Sequence, residues 1–208
     1  MIDIDNNTVS LDLFKNVLHL IKDKPESSRD VIDSFSDNQF RAKVKLLNYI
    51  DNFLQENFKI VILGCWYGSI LIPSLAPKVK TIVALDLDDT VVRIGKNRLF
   101  KEYENVSWCV GDAFTKTLNY VDSDLIINTS CEHMSSMKEW PYWKNIKKDC
   151  YFAFTSNNMD TIEGHMNCVY SIDEFKEQLP KNSIFLAEDE IIDERGTRYL
   201  LIGRISSL

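Results

Sequence analysis

The sequence predicts an α/β protein. It is read as a doubly wound, mostly parallel sheet of seven strands, preceded by helices and finished by an antiparallel hairpin. Three observations carry this. Short, near-continuous apolar runs, the mark of strands covered on both faces, recur five times from position 59 onward. Helix-patterned segments separate most of them, which calls for right-handed βαβ crossovers and an open parallel sheet. The last two apolar runs, 183–192 and 198–205, are joined by "DERGT" with no helix between them, so the final strand must turn back against its neighbour.

The first segment reads as helices. Ser10 is placed to cap a helix whose Leu11, Phe14, Leu18 and Ile21 recur at helical spacing, and Lys24-Pro25 ends it. A second helix is expected over about 38 to 57, with Phe40, Val44, Leu47, Ile50 and Leu54 on one stripe. Residues 1–58 are therefore taken as an N-terminal helical cap or lid, and 59–208 as the sheet domain. The parallel strands are "KIVILG" (59–64), "TIVALDLD" (81–88), "VSWCVGD" (106–112), "DLIINTS" (124–130) and "CYFAFTSNN" (150–158). Between them, 89–103 reads as a helix with Val92, Gly95 and Leu99 turned inward. A further helix over 171–179 opens on the capping box Ser171-x-x-Glu174.

Composition bounds the function. A chain of 208 residues, 45% apolar and 26% charged, suits one globular domain with a full core. The formal net charge of -7 argues against an electrostatic grip on a nucleic-acid backbone. The start, "MIDIDNN", lacks the layout of a signal peptide, and no apolar run is long enough to span a bilayer. The five cysteines, Cys65, Cys109, Cys131, Cys150 and Cys168, are widely spaced and odd in number. They read as reduced thiols of a cytoplasmic protein. With three histidines, they show no ligand spacing along the chain, so no metal is expected.

In a doubly wound sheet, ligands bind beyond the carboxyl ends of the strands, at the switch point beside the first one. That place is the turn in "KIVILGCWYGSIL". Gly64 allows a sharp bend and close approach, Gly68 allows the following helix to pack closely, and Asp86 ends the next strand, where a carboxylate can accept from ribose hydroxyls. A dinucleotide would press its diphosphate on bare backbone in this turn, and Trp66 should crowd it. S-adenosylmethionine carries no phosphate, and its sulfonium tolerates an aromatic face. Asp112 and Ala113 end the third strand, where a carboxylate or backbone amide can meet adenine. Each residue also has a structural use: the glycines in a tight turn, Asp86 and Asp112 as helix caps.

In order and interval, "LGCWYGS", "ALDLD", "VGDAF" and "DLIINTS", with the terminal hairpin, resemble the class I S-adenosylmethionine-dependent methyltransferase family over 59–205. The loop followed by "NTSCEHM" is similar to small methyltransferase-like proteins of bacteria and their phages. The resemblance implies a Rossmann-like fold. It implies cofactor contacts from Gly64, Cys65, Trp66, Tyr67, Gly68, Asp86, Leu87, Asp112, Ala113, Asn128 and Thr129. Two positions depart from the family pattern: Ile62 stands where an acid is usual, and Trp66 where a glycine is usual.

The reacting end should lie at "NTSCEHM". Glu132, His133 and, from the loop after the fifth strand, His165 are the candidate catalytic residues. A histidine titrates near neutrality and suits a base, and a carboxylate can bind a cationic amine or orient the imidazole. A loop histidine also serves simply as a surface residue. Trp140, Tyr142 and Trp143 either wall an acceptor pocket or anchor a helix to the sheet. The expected function is methyl transfer to a small molecule, an amine or carboxylate. Nucleic-acid methylation is unsupported, because no Asn/Asp-Pro-Pro-aromatic signature follows the fourth strand. The alternatives are another use of the same cofactor (aminocarboxypropyl transfer or cleavage) and a nucleoside-binding domain without turnover.

Overall fold

A computed structural model describes residues 11–118 and 120–206. Three helices come first: α1 (Leu11–Asp23), α2 (Ser28–Asp33) and α3 (Asp37–Ile50). Strand and helix then alternate through β1 (Lys59–Leu63), α4 (Leu71–Leu75), β2 (Thr81–Asp86), α5 (Asp89–Ile94) and β3 (Val106–Val110), after which β4 (Leu125–Asn128) and β5 (Tyr151–Asn157) follow with only 3₁₀ turns between strands, and α6 (Ile172–Lys176) comes next. The chain closes with β6 (Ser183–Asp193) and β7 (Gly196–Ile205). One seven-stranded sheet results, ordered β3-β2-β1-β4-β5-β7-β6. β1 to β5 pair in parallel, and β7 is antiparallel to both its neighbours. The expected fold class stands.

β1 shows why its sequence reads as an unbroken apolar run. Ile60 and Ile62 enter the core on one face of the sheet, Val61 and Leu63 the core on the other. The first core is built with the N-terminal helices through Leu13, Leu20, Val31, Leu46 and Ile50. Each such aliphatic side chain contributes about 1.5–3 kcal/mol on full burial, so these helices and the sheet share one apolar interior.

The helical stripes differ from expectation. In α1 it is Leu13 and Leu20 that are buried, whereas Leu11, Phe14 and Leu18 face solvent. Leu13, Val17 and Leu20 form a competing stripe at i, i+4 and i+7, and it wins because it enters the core where α1 meets α2 and the turn at 95–99. In α3 the buried face is Ala42, Lys43, Leu46, Leu47 and Ile50, the helix stops at Ile50, and Phe40 is half exposed. The helix after β2 passes into a π-helical turn, Gly95–Leu99, with Val92, Gly95 and Leu99 buried. Ser10 lies outside the described residues.

Between β4 and β5 the chain makes only short 3₁₀ turns. Trp140, Tyr142 and Trp143 therefore anchor no helix. Trp140 is buried, its indole donates to the Ala113 carbonyl (2.9 Å), and it meets Tyr120 edge-on. Pro141 removes a backbone donor here, which suits turns better than a continuous helix.

Candidate functional site

The sheet order reverses between β1 and β4, and the crevice opens at their carboxyl ends. It has a volume of about 630 Å³ and includes Gly64, Trp66, Asp86, Asp112, Thr129 and Glu132 in its wall. Leu87, Ala113, His133 and Lys43 face it as well.

The turn after β1 is made by backbone geometry that its residues support unequally. Gly64 (φ +61°) and Gly68 (φ +69°) take left-handed conformations that cost glycine nothing. A Cβ at Gly64 would stand 3.1 Å from Ser130 Cβ and from Met134 Cε. Trp66 is left-handed too, at φ 50°. The backbone thus keeps a shape that glycine ordinarily supplies, with an aromatic residue carrying the strain.

Asp86 holds this turn. Its Oδ2 accepts from the Trp66 amide (2.7 Å), and its Oδ1 accepts from the Asp88 amide (3.1 Å). Burial raises its pKa above the ordinary aspartate range, against the pull of those same amides. The helix cap is Asp88, which accepts from the Thr90 and Val91 amides, so Asp86 is not used as a cap. A carboxylate has about four acceptor positions; two are taken, and the group still faces the crevice. Exposed Leu87 beside it, with Ala113 and Phe114 opposite, offers apolar cover for a planar base. Asp112 accepts from the Phe114 amide (2.8 Å).

Four of the expected cofactor residues stand elsewhere. Cys65 is buried beneath the turn, and Gly68 packs on Ile72. Tyr67 is buried, and its hydroxyl donates to Asp30 Oδ2 (2.7 Å), which the Trp66 indole also reaches (3.3 Å). The two turn aromatics thereby fasten α2 to the site. Asn128 is fully buried, accepts from the Ser130 amide (2.9 Å) and faces the sulfurs of Met134 and Met137.

At the far end of the crevice, the loop after β5 folds back onto the turn after β4. The Met166 and Asn167 amides donate to the Glu132 carbonyl (2.8 and 3.1 Å). This brings His165 against His133, edge to face, with ring centres 4.5 Å apart. His133 Nδ1 stands 3.2 Å from the Gly164 carbonyl oxygen. Burial lowers the His165 pKa, which favours the neutral ring. Beneath them Glu132, only 2% exposed, accepts at Oε1 from Asn157 (2.6 Å) and from Arg198 (3.2 Å). Glu132 Oε2 and Arg198 Nε are buried without a hydrogen-bond partner.

Two charged residues escaped the sequence reading. Arg198 looked like one polar residue of a strand; its register opposite Asn157 in β5 is what delivers it to Glu132. Lys43 interrupts the buried face of α3 that runs on through Leu46, Leu47 and Ile50, and that interruption was its signal. It is 6% exposed, reaches the crevice, and lies 5.8 Å from the centre of the Trp66 ring. Burial first, then Arg198, lower its pKa to about 8. α3 is set against β6 by Lys45 and Tyr49, both bonded to Asp189 Oδ2 (2.7 and 2.6 Å).

Comparison with solved structures places the chain in one fold. The N-methyltransferase NodS from Bradyrhizobium japonicum WM9, in complex with S-adenosyl-L-homocysteine, superposes with a TM-score of 0.67 at 16% identity, over 83% of this chain and 89% of that one. A SAM-dependent methyltransferase from Aquifex aeolicus gives 0.59 at 17% identity, over 77% and 89%. The YcgJ protein from Bacillus gives 0.64 at 12% identity, over 78% and 98%. No protein-family model matches the sequence, and no curated protein matches it. The chain has the class I methyltransferase fold. No helix among the described residues is long and apolar enough to cross a membrane.

Proposed function

We propose that the protein is an S-adenosylmethionine-dependent methyltransferase acting on a small-molecule acceptor, an amine or a carboxylate. One observation carries this reading. At the switch point of a methyltransferase fold, the Asp86 carboxylate is bound into the glycine turn yet faces a crevice of about 630 Å³. The same crevice ends at Glu132 and His133. The apolar cover at Leu87, Ala113 and Phe114 and the acceptor lone pairs of Asp86 fit an adenosine; the crowded turn at Trp66 does not fit a diphosphate. Gly64, Trp66, Asp86, Leu87, Asp112, Ala113 and Thr129 would hold the cofactor.

S-adenosylmethionine, when bound, supplies an electrophilic methyl group on a sulfonium. The chain's own part is to position the acceptor and exclude water. Lys43 on the crevice wall beside Trp66, with Arg198 behind Glu132, sets a positive potential that suits an acceptor or a cofactor end bearing a carboxylate. His133 brings an imidazole to the acceptor end of the crevice, with the His165 ring packed against it. The N-terminal helices close the crevice on one side through Gln39 and Lys43.

Calorimetry with S-adenosylmethionine, S-adenosylhomocysteine and NAD tests the reading. The two sulfur nucleosides are expected to bind and NAD not to. Asp86→Ala should weaken binding by about 1.5–3 kcal/mol, the range for hydrogen bonds to a charged group. Equal binding of NAD, or no effect of the substitution, refutes the cofactor assignment. Product analysis then separates methyl transfer, which leaves S-adenosylhomocysteine, from aminocarboxypropyl transfer, which leaves methylthioadenosine.

A further inference from the structure

Glu132, His133 and His165 each offer a ligand atom, and these atoms lie within 4.8 Å of one another. Spacing along the chain gave no hint of this, since two elements far apart in sequence supply the set. We infer that these three side chains form a binding site for one divalent first-row transition ion, whose open positions take an oxyanion acceptor. The acceptor half of this inference rests on the methyltransferase reading; the metal half does not.

The chemistry of the donors supports a specific class of ion. Two imidazoles and one carboxylate, with further positions free, is the ligand set of open transition-metal sites, whereas magnesium and calcium prefer oxygen donors alone. The surroundings complete the ligand set. The His133 Nδ1 stands 3.2 Å from the Gly164 carbonyl, so its N–H donates there and Nε2 keeps its lone pair, the arrangement that orients metal-bound histidines. One Glu132 oxygen is fixed by Asn157 and Arg198, while the other, Oε2, is buried with no hydrogen-bond partner. A buried carboxylate oxygen left without a partner is costly unless something else satisfies it.

Size fits once the rings close in. At metal–ligand distances near 2.0–2.2 Å and angles of about 90–110°, donors on one ion stand about 3–3.5 Å apart, so ligation must shorten the widest pair, now within 4.8 Å, by up to roughly 1.5 Å. His133 is exposed and His165 lies on a loop, and side-chain rotation of the two rings supplies that movement. Charge points to the acceptor. Arg198 already offsets the Glu132 carboxylate, and Lys43 adds a cation near by. Within the ligand set itself the charge of a bound divalent ion would thus be uncompensated, and an anionic oxygen ligand restores the balance. The same cations weaken the ion's hold in the absence of that ligand.

The test uses the whole protein, stripped with EDTA and titrated with Co²⁺. A visible ligand-field spectrum should grow to one equivalent. Oxalate, a simple bidentate oxyanion, should shift that spectrum and tighten Co²⁺ binding. His133→Ala and His165→Ala should each weaken Co²⁺ binding by roughly 100-fold or more, beyond the 10–100-fold typical of losing a mere supporting residue. Circular dichroism and urea melts report the folded state of both variants. Absence of a stoichiometric spectrum, or its persistence in both variants, overturns the metal site. A cobalt spectrum indifferent to oxalate overturns the oxyanion acceptor. Failure of the methyltransferase reading looks different: wild-type protein that takes Co²⁺ but no S-adenosylhomocysteine.

Discussion

The two ends of the crevice treat their polar groups in opposite ways. At the glycine turn both oxygens of Asp86 hold backbone amides, and Asp30 takes both aromatic donors of Trp66 and Tyr67. At the other end, Glu132 and Arg198 make one bond to each other and each leaves an atom unpartnered. Among the described residues only two further buried side-chain atoms lack a partner, both hydroxyls. Buried polar groups are ordinarily satisfied, and those left open ask for an explanation. On the proposed function, the first end is a pre-built cradle and the second a set of reserved valences.

The largest expected effect breaks the open end. Arg198→Met leaves the Glu132 charge buried at 2% exposure with Asn157 as its remaining donor. Removing one partner of a buried pair costs about 3–5 kcal/mol, a large share of a domain's stability, whereas replacing both by apolar groups is often neutral. Urea denaturation should therefore show Arg198→Met far less stable than wild type, and Glu132→Leu/Arg198→Met restored toward it. A double variant as unstable as the single one would mean that the pair is structural rather than reserved.

Lys43 sharpens the same contrast through pH. Its pKa is about 8, below the ordinary 10.5, because burial and Arg198 disfavour the charged form more than Cys65 and Glu132 favour it. A lysine whose folded pKa is depressed weakens the fold while both states are charged, fully so below about pH 8. The cost is relieved as pH rises from about 8 to 10.5, where the unfolded chain holds the extra proton. At pH 7 the difference corresponds to about 3 kcal/mol. Lys43→Met should stabilise the protein by that order at pH 7, and the gap should close as urea melts are repeated toward pH 10. A constant gap would place the gain in packing, not charge.

The sheet was legible because parallel strands announce themselves as apolar runs, and the hairpin because "DERGT" holds too few residues for a helix. Asp86 was legible because strand order fixes where a carboxylate at that position must stand. The paired stripes of α1 were not: Leu11, Phe14 and Leu18 repeat as well as Leu13, Val17 and Leu20, and only tertiary packing chooses between them. Glu132, His133 and His165 were readable as residue types, but their convergence depends on the amides of Met166 and Asn167 meeting the Glu132 carbonyl. Arg198 required the β5–β7 register, which no local pattern encodes.

The smallest effect probes the finished end, at Trp66. The left-handed backbone there (φ 50°) costs an L-residue about 1–2 kcal/mol that glycine does not bear. Trp66→Ala and Trp66→Gly both lose the indole, its bond to Asp30 and its contact with Lys43, so those losses cancel between the two variants. What remains is the strain kept by alanine against the extra unfolded-state entropy of glycine, about 0.4–1 kcal/mol in the other direction. Trp66→Gly should come out more stable by about 0.5–1 kcal/mol in urea melts. The opposite order would mean that the turn relaxes when the ring is gone, and hence that the Asp86–Trp66 bond follows the backbone instead of holding it.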